Sequence, residues 1–277
     1  MKYLFKLISS LPISFLYLIS SILSIILSNF YRIKTVENNL KKSFPNLSIN
    51  SIKKIKSNFY KNFSDVLVET IKSNSISKNE LSKRVKFVNF DIINNHVTNK
   101  ERVIVLTSHQ CNWEWLLLSS QNKLKSDLHV IYKSLSNKSF DKILYKSRSR
   151  FGSKLIESKK SIMFLKKKLK KVKVLAMVAD QSPNINNRKI WYDMLNQKTA
   201  FYQSVNFIPK LTNSIVYFAS MKREARGFYS VKFDLISKPP YDKKTEILLD
   251  YVQKIESLIK KRPAEWLWSH KRWKITQ

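Results

Sequence analysis

The stretch Arg102-Val-Ile-Val-Leu-Thr107 decides the fold class, together with its later counterpart Val172-Lys-Val-Leu-Ala-Met-Val-Ala179. Both are nearly continuous apolar runs, which are typical of strands buried on both faces of a parallel sheet. Helical patterns alternate with these strand patterns along the middle of the chain. The alternation predicts an α/β domain with a mixed, largely parallel sheet flanked by helices.

The neighbouring segments extend the same alternation in both directions. Further strands are predicted at Val85–Phe90 and Leu128–Lys133, and an antiparallel hairpin is predicted from Ser214–Lys222 and Phe228–Ile236. Helices are predicted at Asn112–Gln121, Asn137–Arg150, Ser158–Lys171 and Lys243–Lys261. An earlier helix has apolar residues at steps of three and four from Ile52 to Ile71, and a Pro/Asn-rich loop is expected around Pro183–Arg188.

The N-terminal segment differs from the rest of the chain, because no side chain from Leu7 to Tyr31 is charged. About 20 apolar residues span a bilayer as a helix, so residues 1–34 are predicted to be a membrane anchor and residues 35–277 a separate folded domain. A cleaved signal peptide is the alternative, but no A-x-A-like site follows the apolar run. The basic residues Arg32, Lys34, Lys41 and Lys42 favour a domain that faces the cytoplasm. Whether the anchor spans the membrane or lies in its interface stays open.

Composition restricts the possible functions. The net charge of +33 favours an anionic partner, although lysine far outnumbers arginine and a lysine-rich composition also follows from AT-rich coding sequence. The two glycines, Gly152 and Gly227, stand far apart, which excludes glycine-rich nucleotide-binding loops. A single cysteine excludes an intramolecular disulfide and a Cys-rich zinc site. No His, Cys or carboxylate set has metal-ligand spacing, so neither a metal nor a cofactor is expected.

Two of the predicted strands end in residues that can carry chemistry, and ligands of α/β sheets gather at such ends. Thr107 is followed by Ser-His109-Gln-Cys-Asn112-Trp-Glu114, and Ala179 is followed by Asp180 and Gln181. His109 in the turn and Glu114 in the first helical turns can face one point. The carboxylate is then expected to hold one ring N–H of His109, while the other ring nitrogen takes a proton. The alternatives are a structural turn histidine, a helix-capping Glu114 and a turn-capping Asp180.

The run Ser108-His-Gln-Cys-Asn-Trp-Glu-Trp115 closely resembles the catalytic motif of the bacterial lipid A late acyltransferases, the lauroyl and myristoyl transferases, within the wider H-x4-D/E acyltransferases. The resemblance covers most of the chain in order: the anchor, Tyr31-Arg32, Asn39-Leu40, Ser43-Phe44-Pro45, the H-x4-E run, Arg148 and Arg150 before Gly152, Val178-Ala-Asp-Gln181, and Pro263-Ala-Glu-Trp-Leu-Trp-Ser-His-Lys-Arg-Trp273. One departure is Cys111, which stands where relatives commonly have glycine, so a turn that favours a positive φ is made without it.

The resemblance implies transfer of an acyl chain from acyl carrier protein to a hydroxyl on a glucosamine-based glycolipid, at the inner membrane. It implies a glycerolipid acyltransferase-like fold and an acyltransferase domain at residues 35–277. His109 is the predicted general base and Glu114 its partner. The predicted substrate-binding residues are Asn112, Arg148, Arg150, Asp180 and Gln181, with Arg148 as the candidate for a phosphate of the acceptor or of the donor's phosphopantetheine.

Three alternatives stay open at this point. Cys111, two residues from His109, is an alternative acyl-enzyme nucleophile. The acceptor is alternatively an aminolipid or a glycerophospholipid. A basic membrane protein that binds nucleic acid is the non-enzymatic alternative, but lysines occur along the whole chain, including beside the anchor, which favours an anionic membrane surface over nucleic acid.

The Trp266–Trp273 segment fits a membrane interface, a cover for the acyl chain or simple core packing.

Overall fold

The structure is a computed structural model and describes residues 2–242 and 244–275. Its α-helices are α1 (Lys2–Ser10), α2 (Ile13–Phe30), α3 (Ile33–Ser43), α4 (Ile49–Lys72), α5 (Lys78–Arg84), α6 (Asp91–Thr98), α7 (Trp113–Lys123), α8 (Lys138–Ser149), α9 (Ser161–Lys168), α10 (Ser204–Thr212) and α11 (Ile247–Lys261). Its strands are β1 (Val85–Phe87), β2 (Val103–Thr107), β3 (Leu128–Tyr132), β4 (Lys154–Glu157), β5 (Val174–Val178), β6 (Lys189–Met194), β7 (Gln197–Tyr202), β8 (Ile215–Ala225) and β9 (Phe228–Ser237).

Seven of these strands in the described part of the chain form one sheet in the order β1-β9-β8-β2-β5-β3-β4. All neighbouring pairs run parallel except β8 and β9, which form an antiparallel hairpin. The strands β2 and β5 lie side by side at the centre, and both are almost fully buried. These strand directions confirm the predicted mixed, largely parallel sheet flanked by helices. The two most apolar runs of the sequence form its two central strands.

Several elements differ from the sequence-based predictions. β1 ends at Phe87, and α6 begins at Asp91, where the strand had been expected to continue to Phe90. The predicted helix Ser158–Lys171 contains α9 between two short 3₁₀ turns. Helix α11 begins at Ile247, and Lys243, the predicted first residue, lies outside the described residues. The elements β4, α5, α10 and the separate hairpin of β6 and β7 were not predicted.

Local side-chain hydrogen bonds start several of these helices. Ser48 caps α4 by accepting from the backbone N–H of Ser51, and Asn112 caps α7 by accepting from the N–H of Trp115 at 2.8 Å. Such caps satisfy N–H groups that have no partner inside the helix. The cap at Asn112 sets where α7 begins, which is directly after the turn that follows β2.

Helix α2 packs along α4, which covers one of its faces and leaves the other exposed. Leu16 and Ser20 are fully buried, whereas Phe15, Leu18, Ile22, Ile25, Ile26 and Phe30 are exposed. Within the described residues, α2 is the one helix long and apolar enough to cross a membrane by length and composition. The exposed residues recur at helical spacing, so they form one continuous apolar face.

Two apolar layers cover the two faces of the sheet. Alternate residues of β5 face opposite layers: Leu175 and Met177 belong to the layer with α11, and Val174 to the layer with α6 and α7. This alternation is the two-residue period of a strand. The second layer is incompletely filled, and the cleft described below opens into it.

Candidate active site

The register of β2 and β5 brings the two chemically active strand ends together. Thr107 of β2 is paired with Val178 of β5, and His109 and Asp180 each follow two residues later. Because parallel strands end at the same edge of a sheet, these two side chains meet there. His109 lies in the turn before α7, as the sequence predicted.

His109 is held by Asp180 through two hydrogen bonds. The ring Nδ1 of His109 lies 2.6 Å from Asp180 Oδ1, and the backbone N–H of His109 donates to Oδ2 at 2.9 Å. The indole N–H of Trp266 also donates to Oδ2, at 2.7 Å. Burial alone would raise the pKa of the Asp180 carboxyl, but the charge of His109 and these hydrogen bonds outweigh it and lower that pKa. An ionised Asp180 fixes the tautomer with hydrogen on Nδ1 and leaves Nε2 as the basic nitrogen.

The expected hydrogen bond from Glu114 to His109 is absent, which corrects the sequence-based interpretation. Both oxygens of Glu114 bind Arg148, which donates from Nε at 2.8 Å and from Nη2 at 2.6 Å. Trp113 donates its indole N–H to the same carboxylate at 3.1 Å. Burial would raise the pKa of Glu114, but the charge and hydrogen bonds of Arg148 outweigh it and lower that pKa. The planar guanidinium of Arg148 can donate to both oxygens of a carboxylate at once, which an imidazole cannot. Glu114 therefore pairs with Arg148 rather than with His109.

His109, Glu114 and Arg148 line a cleft of about 500 Å³. Its walls are otherwise largely apolar and run between the sheet and α6 and α7. They include these residues: Ile93, Val105, Leu116, Leu117, Leu124, Leu128, Val130, Val174, Ala176 and Phe233. A largely apolar space with a basic nitrogen in its lining suits a ligand that joins an alkyl chain to a reactive polar group.

The other predicted substrate-binding residues divide between the cleft and its support. Gln181 lines the cleft, and its side-chain nitrogen lies 3.2 Å from His109 Nε2. Asp180 is buried behind the imidazole. Asn112 is fully buried and Arg150 donates to the backbone oxygen of Ser73 at 2.8 Å, and neither residue lines the cleft.

Glu69 of α4 is a buried polar residue near the site that the sequence analysis did not identify. Its carboxylate accepts hydrogen bonds from Tyr17 at 2.6 Å, Asn112 at 2.7 Å and Tyr229 at 2.7 Å. Burial raises the pKa of Glu69 despite these hydrogen bonds. Asp65 and Glu69 are the acidic residues of α4, one helical turn apart among apolar residues, and this pattern was the available signal.

Cys111 adopts the conformation that its position was expected to require, with φ of 53°. Burial raises the pKa of the Cys111 thiol well above its usual value, and the adjacent Glu265 carboxylate raises it further. Cys111 does not line the cleft, and its thiol donates to Glu265 at 2.8 Å. A protonated, buried thiol is a poor nucleophile, so this geometry disfavours an acyl-enzyme at Cys111.

The described residues 2–242 and 244–275 contain no group of His, Cys, Asp and Glu side chains arranged to hold a metal ion. Among the residues that line the cleft, an oriented imidazole, an amide and an Arg–Glu pair offer chemistry. These groups suit proton transfer at a hydroxyl and stabilisation of developing negative charge.

A comparison with curated proteins found no match. The family model described as bacterial lipid A biosynthesis acyltransferase matches residues 2–275, which is nearly the whole chain. The chain therefore belongs to the bacterial lipid A biosynthesis acyltransferase family.

Proposed function

We propose that this protein transfers a fatty acyl chain from an acyl carrier protein thioester to a hydroxyl of a lipid A precursor. The observation that carries the proposal is His109, oriented by Asp180, in the lining of a largely apolar cleft of about 500 Å³. The family implies an acyltransferase, and the cleft supplies space for an acyl chain beside a base. Burial of each methylene there contributes about 0.8 kcal/mol to acyl-chain binding.

In the proposed reaction His109 is the general base. Its Nε2 accepts the proton of the acceptor hydroxyl while that oxygen bonds to the thioester carbonyl carbon. The tetrahedral intermediate then breaks its C–S bond, and the imidazolium returns the proton to the departing thiolate. The products are an ester and the free thiol of the carrier, so no group remains on the enzyme.

The neighbouring polar groups have separate roles in this proposal. Asp180 stabilises the imidazolium that forms during the reaction, as the buried carboxylate does in a catalytic triad. Gln181 is close enough to Nε2 to donate to the oxyanion of the intermediate. Arg148 has no hydrogen-bond partner for Nη1 among the described residues. We assign this N–H group to binding of the acyl donor.

We further propose that α2 holds the protein on the cytoplasmic face of the inner membrane. The exposed apolar face of α2 supports a helix that lies in the interface, because its other face packs on the lysine-bearing helix α4. The net charge of +33 supports attraction to anionic lipid and to an acidic carrier protein. The apolar cleft and the family favour this function over nucleic-acid binding.

The direct test is acyl transfer by the purified protein. Labelled acyl carrier protein thioester and a membrane lipid extract are supplied, and the acylated lipid is identified by mass spectrometry. We expect label on a glucosamine-based lipid, and loss of transfer by a factor of about 10² to 10⁴ in His109→Ala. The matched control is His96→Ala, since His96 lies away from the cleft and binds Glu101 and Tyr217.

Two results would contradict the proposal in different ways. Full activity of His109→Ala would remove His109 as the base. Label found only on an aminolipid or a glycerophospholipid would keep the chemistry but change the acceptor.

A further inference from the structure

A second groove, of about 780 Å³, lies outside the catalytic cleft, between α2, α4 and the turn of the β8–β9 hairpin. One wall is formed by the hydroxyl-bearing residues Ser20, Ser21 and Ser24 of α2. The facing surfaces carry basic side chains, which are these: Lys54 and Lys61 of α4, Arg223 and Arg226 beside the hairpin turn, and Arg262 after α11. We name this feature the basic groove.

Positive charge exceeds negative charge in the basic groove. Asp65, whose side chain is 3% exposed, is shared by Arg223 at 2.5 Å and Arg226 at 2.7 Å. Lys54, Lys61 and Arg262 form no ion pair with any described residue, and the other carboxylate of the groove, Glu265, accepts from Cys111. Cations held close together without enough carboxylates favour a bound anion, and arginine in particular favours phosphate oxygens.

The basic groove lies next to the catalytic cleft. A small cavity between them is lined by Arg223 and Glu265, which also line the groove, and by Trp113 and Leu267, which also line the cleft. The N–H of Leu267 donates to the backbone oxygen of His109 at 3.1 Å. Glu265 and Leu267 are two residues apart, which is about 7 Å of extended chain. The groove and the cleft are therefore neighbouring sites along the segment from Glu265 to Leu267.

The groove also meets the apolar face of α2. Ile25 lines the groove and is 65% exposed, and Ile55 lines the opposite side. If α2 lies in the membrane interface, the groove is at the level of lipid headgroups. Serine hydroxyls and the amide of Asn62 can bind sugar hydroxyls, the basic side chains can bind phosphate, and the apolar margin can receive acyl chains.

We propose that the basic groove binds the phosphorylated sugar headgroup of the lipid acceptor. This inference rests on the proposed function and specifies how the acceptor is recognised. It assigns the acceptor's phosphate to Arg262, Lys54 and their neighbours and leaves the free Nη1 of Arg148 to the acyl donor, because Glu114 occupies two donor positions of Arg148. The acceptor then enters from the α2 side, and the acyl donor occupies the cleft.

The test uses the full-length double variant Lys54→Gln/Arg262→Gln in a steady-state transfer assay. We expect KM for the phosphorylated glucosamine lipid to rise about ten-fold or more, since charge-assisted hydrogen bonds are lost. KM for the acyl donor and kcat are expected to stay within about two-fold. Lys166→Gln/Lys170→Gln on the exposed surface near α9 is the matched control, with the same change of charge. Equal melting temperatures check that the variants are folded.

Two further arms identify the ligand group. With a phosphatase-treated acceptor, the wild-type protein and the groove variant are expected to have similar KM values. The second arm is co-sedimentation with phosphatidylcholine vesicles. When the vesicles contain the phosphorylated glucosamine lipid, the groove variant is expected to bind them more weakly than the control variant does. When they contain phosphatidylglycerol instead, the two variants are expected to bind equally. Equal weakening on both vesicles would overturn the inference, because the groove would then act only as membrane-attracting charge.

The outcomes separate the two proposals. If the wild-type protein transfers no acyl group to any lipid, the proposed function fails. If transfer occurs and the groove variant keeps the acceptor KM of the control, the proposed function stands and the headgroup site is refuted.

Discussion

The carboxylate of Asp180 controls which nitrogen of His109 can act as a base. Its Oδ1 faces Nδ1, while its Oδ2 accepts from the backbone of His109 and from Trp266. In Asp180→Asn the amide oxygen can accept the two hydrogen bonds that Oδ2 accepts in the wild type, from the backbone N–H of His109 and from Trp266. The amide NH₂ then faces Nδ1. That group favours the tautomer with hydrogen on Nε2, which cannot take a proton from the acceptor. We expect kcat to fall by about 10² to 10⁴ with little change in either KM, measured by steady-state acyl transfer.

Thermal unfolding serves as the control for this variant, since Asn is nearly the same size and keeps its buried contacts. An Asp180→Asn protein that retained kcat within two-fold would show that the ring orientation has another source.

The pair of Glu114 and Arg148 is a second residue-level feature with a measurable consequence. The pKa of Glu114 is lowered in the folded protein, so its ionised form stabilises the fold above the unfolded pKa of about 4.3. This contribution is lost as the pH falls through the lower folded pKa. We expect Glu114→Gln to reduce the free energy of unfolding by about 3 kcal/mol at pH 7, because Arg148 stays buried without a partner. The difference between wild type and variant should shrink below about pH 4 in denaturant titrations.

Glu256→Gln is the comparison variant, because Glu256 pairs with Lys260 on an exposed helix surface. Surface pairs of this kind contribute under about 1 kcal/mol. The assignment of a buried ion pair would be contradicted if the two substitutions reduced the free energy of unfolding equally. It would also be contradicted if the effect of Glu114→Gln on that free energy did not change with pH.

At this scale the sequence pointed to the residues that the structure brings together at the cleft, but not to how they pair. His109 and Asp180 were predictable as strand-end residues, and the resemblance grouped them with Glu114 and Arg148. The pairing of His109 with Asp180 depends on the register of β2 with β5, which local spacing does not reveal. Local spacing predicts a contact between Glu114 and His109, which are close along the chain, whereas Glu114 binds Arg148 from α8.

Helix α2 has two faces with different roles. Its inner face packs on α4, where Ser20 donates to Asp65 at 2.5 Å, and its outer face exposes Ile22 and Ile26. Glutamate at both outer positions should leave the inner contacts intact and oppose insertion into an anionic interface. We expect Ile22→Glu/Ile26→Glu to move the protein from the membrane to the soluble fraction after cell lysis, with an unchanged melting temperature in detergent.

Lys166→Gln/Lys170→Gln makes the same change of net charge at an exposed site away from α2 and controls for altered charge. Continued sedimentation of the α2 variant with membranes would refute the interfacial role of this face.

Turn chemistry explains which elements the sequence predicted correctly. The β8–β9 hairpin was recognised because Gly227 supplies a residue with a positive φ, here 76°. The β6–β7 hairpin turns at Leu195 and Asn196, which both have positive φ without glycine, so the usual signal is missing. The short strand β4 lies between two lysine-rich helical segments, and its four residues have no clear alternation.

For the molecule as a whole, the N-terminal helices pack as part of the fold. Tyr17 of α2 donates to Glu69, Arg226 of the hairpin turn donates to the backbone oxygen of Tyr17 at 2.9 Å, and Glu69 binds Asn112 next to the catalytic turn. A chain of direct contacts thus joins the proposed anchor to α7. Deletion of residues 1–34 removes the hydrogen bonds of Tyr17 to Glu69 and of Ser20 to Asp65, and the loss of a hydrogen-bond donor to a buried carboxylate is destabilising.

We therefore expect the chain that lacks residues 1–34 to melt at a lower temperature and to lose transfer even toward a detergent-solubilised acceptor. The Ile22→Glu/Ile26→Glu variant is the matched comparison, because it should lose membrane binding but keep the Tyr17–Glu69–Asn112 contacts and the activity in detergent. If the truncated chain kept its melting temperature and its activity in detergent, the N-terminal helices would be an anchor alone. If both proteins lost activity but only the truncated one lost stability, contact of α2 with lipid, rather than its packing, would be needed for the acceptor to reach His109.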